Sequence, residues 1–171
     1  TTLFRSPCSA LNNAMMNFLS GLQNSSPIIL GIVIGCMSAF DMGGPVNKAA
    51  YVFGVASLES GQFEIMAAVM AGGMVPPLAI ALATTFFKNR FTKEERDSGK
   101  VNYVMGLSFV TEGAIPFAAG DPLHVIPACV GGSAVAGALS MLFNAALRAP
   151  HGGVFVIPVV THPFAYILAI A

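Results

Sequence analysis

Five stretches of this chain, residues 6–40, 65–87, 101–111, 122–147 and 149–171, contain no Asp, Glu, Lys or Arg. A helix of about 20 apolar residues crosses the hydrocarbon core of a bilayer, and several of these runs reach that length. Soluble domains carry roughly one charged residue in four. Here only 9% are charged and 55% are hydrophobic. Eight Lys and Arg balance eight Asp and Glu, which excludes both a basic field for nucleic acid and the high net charge of a disordered chain. Cys8, Cys36 and Cys129 show no CxxC or Cys/His spacing, so neither a disulfide framework nor a metal site is expected, and no cofactor either. The chain opens on Thr1 without a basic n-region or cleavage site, which reads as a piece of a longer protein with no signal peptide.

The expected class is all-α, with polytopic transmembrane helices. Residues 10–23 place Leu11, Met15, Phe18, Leu19 and Leu22 on one helical stripe. A break at Asn24-Ser25-Ser26-Pro27 precedes the uncharged run Ile28 to Phe40, where Gly31 and Gly35 have the small-xxx-small spacing of closely approaching membrane helices. Phe40 to Lys48, with Gly43, Gly44 and Pro45, is expected as irregular backbone, and Ala49 to Leu58 as helix. Phe63 to Phe87 follows, in which Gly72-Gly73 and Pro76-Pro77 predict a break or kink. Residues 88–100 hold eight of the sixteen charges, five of them basic, and read as a water-exposed cytoplasmic loop. Val101 to Gly120, with Gly106, Gly113, Pro116 and Gly120, reads either as a re-entrant hairpin or as a poor span. Pro122 to Leu147 is a second long run, Arg148 to Gly153 a polar link, and Val154 to Ala171 a last span.

An ionisable side chain within a span is a functional candidate by default, because inserting it costs roughly 2.5–3.5 kcal/mol. Glu112, in Thr111-Glu112-Gly113-Ala114-Ile115-Pro116, is the sharpest case; its carboxylate is suited to accept hydrogen bonds from the adjacent hydroxyls of a sugar or polyol. The plainer alternative is a buried pair with a donor such as Lys48. Asp41, Asn47 and Lys48 form a second cluster, readable as a structural ion pair or as a ligand set. Asp41 precedes Pro45 by four residues just as Glu112 precedes Pro116, a likeness expected of a transporter built from repeats with its site between them. His151 reads as a turn residue or a ligand, His124 and His162 as packing histidines, and Asp121 as a helix N-cap. No GxGxxG, P-loop, HExxH or GxSxG is present, so no soluble active site is legible. On the residues alone, a secondary transporter or channel with Glu112 as a proton or cation site stands beside a sugar permease, and a helical scaffold is the third reading.

Three segments carry a resemblance. Phe40-Asp41-Met42-Gly43-Gly44-Pro45-Val46-Asn47-Lys48-Ala49-Ala50-Tyr51, Thr111-Glu112-Gly113-Ala114-Ile115-Pro116-Phe117-Ala118 and Ala149-Pro150-His151-Gly152-Gly153 resemble, in order, the hallmark segments of the fructose-type enzyme IIC of the bacterial phosphoenolpyruvate-dependent sugar phosphotransferase system. Asn12-Asn13-Ala14-Met15 and Gly120-Asp121-Pro122 fit as well. The resemblance implies that residues 1–171 are the C-terminal part of a multi-pass permease domain of the bacterial inner membrane. Such a domain binds fructose or a related sugar and presents it to a IIB domain carrying a phosphocysteine, with IIA and the general phosphotransferase proteins upstream. It makes the chain part of a phosphotransferase complex, inactive as a fragment, and implies a homodimer of the full-length domain in the lipid bilayer. It assigns Glu112, on a re-entrant hairpin, to the sugar hydroxyls and to catalysis, with Thr111 and Gly113 beside it and Asp41, Asn47, Lys48 and His151 as further pocket residues. No Cys-Pro-Thr-Gly segment occurs, so none of the three cysteines is expected to carry the phosphoryl group.

Overall fold

The computed structural model describes residues 2–22 and 26–171. They form α1 (Thr2–Leu22), α2 (Pro27–Phe40), α3 (Pro45–Glu59), α4 (Phe63–Phe86), α5 (Lys93–Leu107), α6 (Ile115–Gly120), α7 (Pro122–Leu142) and α8 (Pro163–Ile170), with 3-10 turns at Lys88–Arg90, Thr111–Ala114 and Gly153–Val159 and no strand among the described residues. Of the expected break at residues 24–27, Asn24 and Ser25 lie outside the described residues. The stripe on α1 is narrower than its periodicity suggests, since Leu19 is buried while Phe18 faces outward.

Among the described residues two helices, α4 and α7, are long and apolar enough to cross a bilayer, and α4 is the axis of the bundle: every residue from Ile65 to Pro77 is buried. The glycine-proline pattern does not break it. A proline at position i removes the donor for the carbonyl at i−4, which in the interior of a membrane bundle must find another partner. Pro76 and Pro77 free the carbonyls of Gly72 and Gly73. Both are occupied from outside the helix, by Ser133 Oγ of α7 at 2.7 Å and by Thr111 Oγ1 at 3.1 Å, and α4 runs on as one element to Phe86.

Glycines set how closely the helices approach. A Cβ on Gly31 would lie 2.5 Å from the Gly137 carbonyl, and one on Gly35 would strike the Ser133 carbonyl, so α2 and α7 pack backbone to backbone as the small-xxx-small spacing predicts. A Cβ on Gly106 would fall 2.7 Å from Leu78 Cγ, and Gly99 backs onto Thr84; α5 therefore descends antiparallel along α4.

These contacts sort the chain between two ends. Pro27, Gln62, Glu64, Ile65, Met141 and Asn144 line one cleft and mark the first end. Glu94, Glu95, Ser98, Pro116 and Phe117 line another and mark the second. α5 begins there with a capping box, Glu95 N donating to Thr92 Oγ1 at 3.3 Å and Thr92 N to Glu95 Oε2 at 2.7 Å. The polar stretch 88–100 is thus only half loop; from Lys93 it is helix.

Two hairpins enter from opposite ends. From the first end, α2 and α3 are joined at Asp41–Gly44; from the second, α5 turns at Ser108–Val110 and the chain doubles back through Thr111–Ala114 and α6. Gly113 then lies against Asn102 and Met105, and the Phe117 ring meets Phe91 edge-on at 6.3 Å. α3 starts at Pro45, four residues earlier than the composition suggests. Pro at the first helical turn loses no bond, and Asp41 supplies acceptors for the amides that follow.

The last segment is not a span. Leu147 N donates to Phe63 O at 3.0 Å and the Arg148 guanidinium lies 5.3 Å over the Phe63 ring, both at the first end. The chain then dips inward, so that Gly153 packs on the backbone of Leu107 and Phe109, and returns where Thr161 N donates to Ala146 O at 3.1 Å. α8 has only eight residues, stitched to α4 by Tyr166 Oη donating to Ala67 O at 3.3 Å. His162 is exposed just before it. His124 is exposed too, its Nδ1 2.8 Å from Asp121 Oδ1. Asp121 occupies the N-cap position of α7, yet its carboxylate pairs with His124 and caps no backbone amide.

Candidate functional site

The tips of both hairpins and the dip at 149–153 converge at the middle of α4, where Gly73 leaves a notch. A Cβ there would lie 2.5 Å from Phe109 Cε2. The Phe109 ring fills that space. Phe109 has φ +62, a left-handed conformation that is costly for an aromatic residue and persists only where its surroundings enforce it. Those surroundings are rings: Tyr51 of α3 at 6.3 Å and His151 edge-on at 5.2 Å. Gly152 at φ +137 and Gly153 at φ +56 make the turn that delivers His151. Phe109 and Tyr51 are the members of the cluster that sequence patterning passed over, because an aromatic residue on an apolar run carries no polar signal.

Thr111 is buried and its hydroxyl donates to Gly73 O, which fixes the short turn bearing Glu112. Gly113 lies flat on the Asn102 side chain. Asn102 is 2% exposed and its Nδ2 has no hydrogen-bond partner among the described residues.

Glu112 itself reaches across to the opposite hairpin. A Cβ on Gly43 would stand 2.7 Å from Glu112 Oε1 and 2.9 Å from its Cγ, so the carboxylate lies directly on the Gly43 backbone. Gly43 has φ +108 and Met42 φ +47, and the tight turn presents bare backbone to the acid. Among the described residues the Glu112 carboxylate accepts no hydrogen bond and makes no ion pair. Its acceptor capacity is free.

The other acidic side chain is occupied. Asp41 accepts from Val46 N at 2.7 Å and from Asn47 N at 2.9 Å, the free amides at the start of α3. A carboxylate there is favoured by both the orphan donors and the helix dipole. The Asn47 side-chain amide donates to Ser38 O, closing α2 against α3. Lys48 does not pair with Glu112; its Nζ donates to Gly43 O at 2.6 Å and remains exposed. A single backbone residue, Gly43, therefore carries a carboxylate on its Cα and a cation on its carbonyl oxygen.

Two groups lie along the 109–112 turn, a free carboxylate and an ammonium at Gly43, and an imidazole and a tyrosine ring against Phe109. A centre of that chemistry can take several hydroxyls in defined directions while packing an apolar face.

Known proteins show the family. The chain matches the family described as Phosphotransferase system, EIIC over residues 2–132. It is 55% identical over 164 residues to the "PTS system fructose-specific EIIABC component" of Bacillus subtilis (strain 168), covering 96% of this chain and 26% of that protein. It is 54% identical over 168 residues to the "Fructose permease IIC component" of Bacillus amyloliquefaciens, covering 98% of this chain and 55% of the relative. Identity to the "PTS system fructose-specific EIIB'BC component" of Escherichia coli (strain K12) is 45% over 171 residues, with 98% of this chain and 30% of that protein covered. The chain thus spans about half the length of these relatives or less. No solved structure matches it. Hallmark segments that meet in space, and a match that runs through two of them, lead to one assignment: the chain belongs to the phosphotransferase system EIIC family, whose members are membrane permeases.

Proposed function

We propose that this chain carries the sugar site of a fructose-type phosphotransferase permease, with Glu112 as the group that accepts and polarises the sugar hydroxyl to be phosphorylated. The observation that supports the reading most is the free carboxylate of Glu112 held on the Gly43 backbone at the meeting of two opposed hairpins. Thr111 and Gly113 hold the turn, Asp41 and Asn47 build the opposite tip, and His151 and Lys48 offer further hydroxyl and charge contacts.

In the full-length protein the IIB partner approaches from the cytoplasm, the side on which the Lys/Arg-rich stretch 88–100 places the second end of the bundle. The segment 101–120 is then a re-entrant hairpin, and the protein is a multi-pass component of the bacterial inner membrane. The sugar oxygen forms a bond to phosphorus as the sulfur–phosphorus bond of the partner's phosphocysteine breaks; the thiolate leaves and the hydroxyl proton passes toward Glu112. Such a transfer depends mainly on holding the oxygen in line and stabilising charge, tasks suited to a free carboxylate on a tied turn and a nearby ammonium. Phosphoryl groups reach the partner from IIA and the general phosphotransferase proteins, and the full-length domain works as a homodimer.

The test is formation of labelled fructose phosphate by membranes carrying the full-length protein, its partners and phosphoenolpyruvate. Glu112→Gln keeps shape and removes the base, and is expected to lower kcat by about 10²-fold with the protein still present in the membrane. Full activity of the variant removes Glu112 from the mechanism. Uptake that collapses with the proton gradient and ignores loss of the IIB partner overturns the reading in favour of secondary transport.

A further inference from the structure

The buried pair Pro76-Pro77 lies at the level of the site, and each proline frees one glycine carbonyl on α4. Those carbonyls have different partners. Gly72 O is taken by Ser133 Oγ at 2.7 Å, a bond between two spanning helices. Gly73 O is taken by Thr111 Oγ1 at 3.1 Å, a bond to the turn whose next residue is Glu112. The proline ring also clashes with the carbonyl four residues back and pushes it away from the helix line. At Gly73 the missing side chain keeps the same spot open to the Phe109 ring. Proline thus both frees the acceptor and turns it outward, and glycine clears the approach.

We propose that Pro77 is a positioning residue for Glu112, acting through the Gly73 carbonyl and the Thr111 hydroxyl. This rests on the reading of Glu112 given above. The Thr111–Ala114 turn is a 3-10 segment of four residues that follows Phe109, seated in its notch, and contains Gly113, packed on Asn102. Among the described residues the Thr111 hydroxyl is the hydrogen bond that ties this turn to α4 beyond that packing, so the outward tilt of Gly73 O sets how far the turn, and the carboxylate on it, stands from α4. Restoring an N–H at position 77 lets the carbonyl swing back into the helical ladder and lengthens that tie. Pro76 is an internal control, because its freed carbonyl leads to α7 and not to the site.

The experiment is a double-mutant cycle in the full-length protein in membranes, with sugar phosphorylation read as kcat/KM per amount of inserted protein. Pro77→Ala is expected to lower kcat/KM on the order of fivefold, the equilibrium equivalent of one net hydrogen bond, while Pro76→Ala changes it less than about twofold. In a Thr111→Val background Pro77→Ala adds nothing, because the tie is already gone. Equal effects of the two proline variants, or an unchanged Pro77→Ala effect in the Thr111→Val background, overturns the proposal. Failure of Pro77→Ala to accumulate in the membrane also overturns it, since the proline then serves the fold. The same cycle read as melting temperature in detergent separates the two readings. Should the wild type phosphorylate no sugar, the functional reading fails, while a smaller Thr111→Val penalty in the Pro77→Ala background still supports the tie and an equal one removes it.

Discussion

Replacing Gly43 by alanine separates the chemistry of the tip from its backbone strain. The new Cβ would stand 2.7 Å from Glu112 Oε1, and ordinary contact begins near 3.4 Å. The carboxylate must therefore retreat by about 0.7 Å. Misplacing a reacting group by about 1 Å costs about 10²-fold in rate, so the retreat corresponds to a loss on the order of 20-fold. The backbone also objects, because φ +108 suits glycine and costs other residues about 1–3 kcal/mol. Gly61 supplies the control: its φ is +79 and nothing lies within 4 Å of a Cβ placed there. Gly61→Ala also puts a side chain at positive φ but in open space, so it reports backbone strain without touching the acid. The assay is sugar-phosphate formation by membranes carrying each full-length variant, normalised to inserted protein. A normal rate in Gly43→Ala, or equal losses in the two variants, would refute the placement of Glu112 on the Gly43 backbone.

Asp41→Ala removes the acceptors for Val46 N and Asn47 N and should cost about 1–2 kcal/mol of stability, as loss of a helix cap does; a raised KM at unchanged melting temperature would make Asp41 a sugar ligand instead. Gly35→Ala drives a methyl group into the Ser133 carbonyl, and overpacking of that kind costs about 1–3 kcal/mol, visible as a lower melting temperature in detergent. An unchanged melting curve would mean that α2 and α7 stand farther apart. Asn102→Leu removes a buried donor without a partner among the described residues and should stabilise the bundle by about 1 kcal/mol. A lower melting temperature would show that Nδ2 has a partner in the membrane.

Much of this was legible in the residues. Uncharged runs dictated helices in an apolar solvent, since no other open structure satisfies its backbone there. The Gly31–Gly35 spacing announced a close helix crossing, and a lone glutamate among Thr, Gly and Pro singled out the residue proposed as the sugar ligand. The segment 41–48 was recognisable as a partner of 111–117 because both pair an acid with a proline four residues on. Local pattern misled where a distant group completes a hydrogen bond. Gly72-Gly73 with Pro76-Pro77 reads as a break or kink, and α4 continues as one element because Ser133 and Thr111 supply the missing donors from 61 and 38 residues away. His124 on an apolar run reads as a packing residue, and it points outward to Asp121.

Composition and periodicity by themselves fixed the solvent, the helical class and the candidate residues, because burial cost acts residue by residue along the chain. Tertiary structure alone decided which polar groups are spent and which are free. Asp41 and Glu112 look alike in sequence, yet one carboxylate is consumed by the amides of α3 and the other lies open on Gly43. That difference arises from where two hairpin tips meet, and hydrogen bonds and contacts across such a distance have no local signature.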